Sequence, residues 1–300
     1  MYDFTPLLRS NVWLQDQGGI AVDTTQRRNV ITEQDVVAYD ERSGSFDISR
    51  ALERRRPDFT RPLRDLGTDA VILELAAGRA AHSLSLLRDG YNVLVSDVSP
   101  KSVLWVRAAA TALGIADRAN FLALDAMHLP FKDESVDGVF MTASLHHMPD
   151  PYRCVCECRR VIKPGGLLLI GYEPAHWTYI IFGTLWRLLR GALRRGKRRN
   201  ISLADDATTG FSARQLLEFA RRADFQEAEV QGVDFLEKIA EHAQVLVQKL
   251  LNTEDSEYRP SYPMLRKLDQ LIFRRGILAR VAWNYDLIAY RGPDKLSATR

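Results

Sequence analysis

Three acids close strand-like runs, and their spacing is the first chemistry in the sequence. Glu74 ends the run AVILEL (70–75), Asp97 ends NVLVSD (92–97) and Asp125 ends NFLALD (120–125). A carboxylate at the second strand end can accept both hydroxyl protons of a ribose. One at the third can accept from an adenine amino group, and Glu74 suits a cationic amine. The turn that holds Glu74 reads LELAAGRAAHS (73–83). Its single glycine, Gly78, allows positive φ, and the small Ala76 and Ala80 let the backbone approach a ligand. A pyrophosphate turn uses three glycines and a clear helix N-terminus. Here an acid lies inside the turn, which argues against phosphate.

The elements that must position these acids follow from the alternation of apolar runs. After AVILEL comes a helix over about 80–89, then the strand NVLVSD. Pro100 to Leu113 reads as a helix with Ser99 at its N-cap and Pro100 in its first turn. NFLALD follows, then VDGVFMTAS (136–144), a helix over 151–162 stopped by Lys163-Pro164-Gly165-Gly166, and LLLIGYE (167–173). A helix (212–223), a strand (226–233) and a last strand, WNYDLIAYR (283–291), complete the series. Such alternation predicts an α/β fold, a Rossmann-like, mostly parallel sheet of seven strands with helices on both faces. Its ligand belongs outside the carboxyl ends of the strands. Residues 1–67 read as a polar, irregular leader with one or two helices, carrying the basic cluster Arg54, Arg55 and Arg56. Residues 68–300 read as one domain, with helical insertions after strands five and six at about 174–207 and 234–280.

An amine, a ribose and an adenine without phosphate describe S-adenosylmethionine. The motifs around the acids resemble the class I S-adenosylmethionine-dependent methyltransferases of the type-11, ubiquinone-biosynthesis-like group. Glu74 to Ala80 stands where that family has (E/D)-x-G-x-G-x-G, with Ala76 and Ala80 replacing two glycines. Asp97 in VLVSDVS and Asp125 in ALDAMHLPFKDESVDGVF match its ribose and adenine acids. SLHHMPDP (144–151) and RRVIKPGGLLLI (159–170) match the loop after strand four and the approach to strand five. The resemblance implies a cofactor site of Glu74, Ala76, Gly78, Ala80, Asp97, Val98, Asp125 and Ala126. It also implies an antiparallel last strand and a loop-shaping role for His147.

Methyl transfer from a sulfonium is an in-line displacement, favoured by holding nucleophile and methyl together. An oxygen nucleophile needs a base to take its proton. His146 and His147 follow the fourth strand, and His176 follows the fifth, where Tyr172 and Glu173 form further candidates. Oxygen is the expected acceptor, although the residues themselves leave oxygen, nitrogen and carbon open. Cys154 and Cys158 share a helix face while Cys156 points away. Without further ligands beside them they read as small buried side chains, and no metal site is expected.

The substrate class is read from the insertions. HWTYIIFGTLWRLLRGALRRGKRRN (176–200) places Ile181, Leu185, Leu188, Leu189 and Ala192 on one stripe, with Arg187, Arg190 and Arg194 opposite. There is no acid from Trp177 to Asn200. The run suits either a lid or contact between residues 177–199 and an anionic membrane surface. The stretches 238–251 and 264–283 are also amphipathic. Together they favour an apolar, lipid-linked or quinone-like acceptor. A soluble small-molecule methyltransferase and a catalytically silent binding module are the alternatives. A net charge of +3 is too small to imply nucleic acid, and the apolar IIFGTLW beside the arginines makes that partner unlike the pattern. The N-terminus lacks a signal peptide's pattern and no apolar run is long enough to span a bilayer. A cytoplasmic chain, peripheral at the inner membrane surface, is the expectation.

Overall fold

A computed structural model describes residues 3–9, 14–16, 21–23, 52, 56, 58–178, 210–250, 263–274, 279 and 281–293 of the 300-residue chain. Two short strands, β1 (Leu14–Asp16) and β2 (Ala21–Asp23), precede the seven expected from the sequence. Those seven are β3 (Val71–Glu74), β4 (Asn92–Asp97), β5 (Ala119–Ala123), β6 (Val136–Thr142), β7 (Ile162–Pro174), β8 (Glu227–Val233) and β9 (Asn284–Tyr290). The sheet order is β1-β2-β5-β4-β3-β6-β7-β9-β8. Strands β5 to β7 of that order are parallel, and β9 runs antiparallel to both β7 and β8. The central strands carry continuous apolar runs because both of their faces are covered.

One face of the sheet packs α1 (Arg61–Arg64), α2 (Ala81–Arg88) and α3 (Pro100–Ala112). The other packs α4 (Pro151–Val161) and α5 (Ala213–Arg222). Their starts follow local chemistry. Ser99 Oγ accepts from Ser102 N at the head of α3, and Asp150 Oδ1 accepts from Arg153 N at the head of α4. Ser212 and Gln215 form a capping box on α5. On α4 Cys154 and Cys158 are buried and Cys156 is half-buried, so the three cysteines pack as the spacing predicts. Between β8 and β9 come α6 (Leu236–Leu250) and α7 (Pro263–Phe273). Of the insertion after β7, residues 179–209 lie outside the described residues, and with them the stripe expected over 177–199.

One expectation is extended and one is corrected. The leader, read as irregular with one or two helices, carries helix α1 and also adds strands. β2 pairs in parallel with β5, Ala21 against Leu122, and β1 closes on β2. An edge strand offers unpaired N–H and C=O groups, and a polar segment can satisfy them without any alternating signal of its own. Lys163 to Gly166, read as a stop, belong to β7, across a register shift between Val136 and Gly138. The glycine there lets β7 pass close to Asp137, where a Cβ would meet the backbone carbonyl.

Candidate functional site

β3, β4 and β5 are neighbours, so Glu74, Asp97 and Asp125 arrive at one edge, with strands about 4.8 Å apart. The turn after β3 is stitched to β4. Ala77 N donates to Ser96 O at 2.9 Å, and Ser96 Oγ donates to Glu74 O at 2.6 Å. Ala76, Gly78 and Ala80 all adopt left-handed backbone, with φ of 49°, 52° and 49°. That alternation explains why glycine suits these positions. In alanine the same conformation costs roughly 1–2 kcal/mol per residue.

Asp97 braces this turn. Its Oδ2 accepts from Gly78 N at 2.8 Å and its Oδ1 from Ser99 N at 2.9 Å. A carboxylate has about four acceptor sites, so the same group is of the type that receives ribose hydroxyls. Glu74 is 1% exposed, and its Oε2 has no hydrogen-bond partner among the described residues. Burial, with the charge of Asp97 adding to it, lifts its pKa to about 8. A buried carboxyl oxygen without a partner is what an incoming ammonium group would satisfy. Asp125 Oδ1 accepts from Met127 N at 2.8 Å. Val98 is half-buried beside Asp97, and Ala126 places its methyl in the core. Helix α4 straps the loop beyond, since Arg153 Nε donates to Met127 O and Glu157 Oε2 accepts from Leu129 N. The residues therefore fit the amino-acid, ribose and adenine portions of S-adenosylmethionine. Among the described residues, no group of three or more His, Cys, Asp or Glu is arranged to hold a metal.

The three histidines separate. His146 and His147 share the single turn after β6, their rings 4.0 Å apart. Glu173, at the end of β7, is turned toward them. Its Oε1 accepts from Ser144 N and Leu145 N at 3.0 and 2.9 Å, and its Oε2 from His146 N at 3.1 Å. His146 Nδ1 lies 2.9 Å from that Oε2. Both carboxyl oxygens already accept backbone N–H groups, so Nδ1 is the donor, and in the neutral ring Nε2 is the acceptor. Glu173, named from the sequence beside the candidate bases, is thus fully engaged in shaping the loop. His176 instead lines a cavity of about 730 Å³ with Trp177, Phe211, Leu217 and Tyr285.

A second polar group lies at the carboxyl edge, assembled from distant parts of the chain. Arg56, read as part of a basic leader cluster, is buried. Its guanidinium lies 2.9 Å from Asp286 and 3.0 Å from Asp58, over the ring of Tyr172 at 4.9 Å. Burial pushes the Tyr172 phenol well above its ordinary range, so Tyr172 stays protonated and is a poor base. Asp234 closes β8 and accepts from Asn284 Nδ2 at 3.3 Å. Its burial raises it to about 6. No local motif marks this group, because its members come from residues 56, 172, 234 and 286.

Comparison with known proteins agrees with the geometry. Residues 73–170 match a family described as a methyltransferase domain. The chain is 34% identical over 145 residues to a demethylmenaquinone methyltransferase of Thermobifida fusca, covering 46% of this chain and 60% of that one. It is 34% identical over 107 residues to the methyltransferase GfsG of Streptomyces halstedii, covering 35% and 38%. The chain thus spans between about two fifths and three fifths of the length of these relatives. A phosphoethanolamine N-methyltransferase of Haemonchus contortus, solved with S-adenosyl-L-methionine, shares the fold. It has a TM-score of 0.51 and 17% identity over 86% of this chain and 57% of that one.

Proposed function

Since residues 73–170 form a class I S-adenosylmethionine-dependent methyltransferase domain, we propose that the chain transfers a methyl group to an apolar acceptor, quinone-like or lipid-linked, at oxygen. The observation that carries the cofactor is the row Glu74, Asp97 and Asp125 beside a left-handed turn. When bound, S-adenosylmethionine supplies a methyl group activated by its sulfonium. Glu74 holds the amino end, Asp97 the ribose and Asp125 the adenine. His146, oriented by Glu173 through Nδ1, takes the acceptor proton at Nε2, and His147 shapes the loop. His176 borders the acceptor side. The apolar acceptor is supported by the quinone methyltransferase among the relatives and by the apolar insertions in the sequence. Residues 177–199 then serve as peripheral contact with the inner face of a cytoplasmic membrane, with no nucleic acid partner.

The test is purified protein with S-adenosylmethionine and, in turn, a demethylated quinol in detergent and a polar phenol. Product one methyl group heavier, from the quinol in preference, is the expected result. His146→Asn should lower kcat by about a hundredfold or more, with KM little changed. Preference for the polar phenol would overturn the acceptor class, and an unchanged kcat would overturn the base.

A further inference from the structure

Helix α7 is largely inside out. Three of its polar residues, Arg266, Asp269 and Gln270, face the protein, while Lys267 is exposed. Asp269 is 2% exposed, and its carboxylate caps α6 by accepting from Leu236 N and Glu237 N at 2.7 and 3.0 Å. Arg266 makes a bidentate pair with Glu237 at 2.7 and 2.8 Å. Gln270 Nε2 donates to Asp58 Oδ2 at 3.0 Å. Four of its apolar side chains face outward, although Phe273 at its end is buried against Phe235. Met264 is 79% exposed and Leu271 82%, with Leu268 and Ile272 also exposed. At about 100° per residue Met264, Leu268 and Leu271 fall on one line along the helix. A water-facing helix ordinarily presents the opposite stripe. The anchoring bonds oppose rotating the apolar line inward, since rotation would take Arg266 away from the buried Glu237 carboxylate and uncap α6.

Charge chooses the occupant. Asp269 is the sole acid between Pro263 and Arg274, and it is buried. Lys267 is exposed beside the apolar line, and Arg274 follows the helix exposed, its Nε donating to Gln231 at 2.8 Å. The other insertion leaves the sheet close by. Trp177 packs on Phe235, which packs on Phe273 of α7, at ring separations of 6.2 and 4.6 Å. From Trp177 to Asn200 the sequence holds six arginines, one lysine and no acid. An apolar ridge flanked by cations, rooted beside a basic segment, matches an anionic bilayer surface. We infer that the outward face of α7, through Met264, Leu268, Leu271 and Ile272, docks this chain on anionic membranes. This deepens the reading of an apolar acceptor, because a bilayer-dissolved acceptor must be reached from that surface.

The full chain is tested by co-sedimentation with phosphatidylcholine vesicles, with and without about 30% phosphatidylglycerol. Wild type should bind the anionic vesicles, less so at high salt. Met264→Asp with Leu271→Asp should weaken binding about tenfold or more. Both side chains are so exposed that the fold should survive, which S-adenosylhomocysteine calorimetry and thermal melting check. Wild type that ignores anionic vesicles overturns the inference, as does a double variant that binds them equally. Wild-type self-association that the double variant abolishes would make the ridge a contact between copies and also overturn it. Quinol methylation in detergent, measured in parallel, reports on the proposed function alone, so the two readings fail separately.

Discussion

Glu74 ties the cofactor site to pH. In the unfolded chain it ionises near its ordinary value, and in the fold only at about 8. The folded state therefore holds an extra proton between those values, so stability falls as pH rises through that window and is level above it. Glu74→Gln removes this loss. The variant should melt near wild type at about pH 4 and clearly above it at about pH 9, yet bind S-adenosylmethionine more weakly. An equal shift at both pH values would count against a buried proton. The same logic makes cofactor binding release protons near neutral pH, read by calorimetry in two buffers of different ionisation enthalpy. Beside it, Ala76 carries a left-handed strain that glycine would not. Ala76→Gly should stabilise the protein by about 0.5–1 kcal/mol, offset in part by glycine's freedom when unfolded. A lower midpoint in urea would refute the strain. That Ala76 and Ala80 are small was legible in the sequence, but their positive φ was not.

At the scale of elements, glycine decides how close the leader can lie. A Cβ on Gly171 of β7 would stand 2.5 Å from the Phe59 ring, and one on Gly138 of β6 would stand 2.7 Å from Leu63. Phe59 and Leu63 are buried there, across the face that α2 and α3 also cover. Gly171→Ala should cost about 1–3 kcal/mol by overpacking, measured by denaturant unfolding, and loosen the Arg56–Leu66 stretch in hydrogen exchange. No change in either would mean that the segment yields freely. The strands β3 to β9 were legible within a residue or two, apart from β7, because their apolar runs and caps are local. The leader strands were not, because they form by satisfying the edge of β5. Nor was the orientation of α7. Its sequence is amphipathic in either sense, and only the partners of Asp269, Arg266 and Gln270 set which side turns inward.

Across the whole molecule, Arg56 joins parts far apart in the chain. Burial opposes its charge, but Asp286, Tyr172 and Asp58 outweigh that and raise its pKa. Asp58 in turn accepts from Gln270 of α7, so the leader, β9 and the last helix meet at one guanidinium. Arg56→Ala should cost about 3–5 kcal/mol, because it leaves the Asp286 carboxylate buried without its cation. Adding Asp286→Asn should recover part of that loss, a coupling that a double-mutant cycle measures. Strict additivity would show that the pair does not act as a unit. Among the described residues, no helix is long and apolar enough to cross a membrane.

What the sequence determined by itself is what short-range chemistry encodes. Strand runs, helix caps and the acids at or just after the ends of β3, β4 and β5 are each written within a few residues, and parallel pairing then carries the acids to one edge. Tertiary structure alone decided the roles that depend on neighbours distant in the chain. Glu173 became the support of the His146 turn, Tyr172 was removed as a base and Arg56 became a buried clamp. The physical reason is desolvation: a charge or a phenol takes its role from what surrounds it once water is gone. For these residues the surroundings come from sequence separations of 27 to 230 positions.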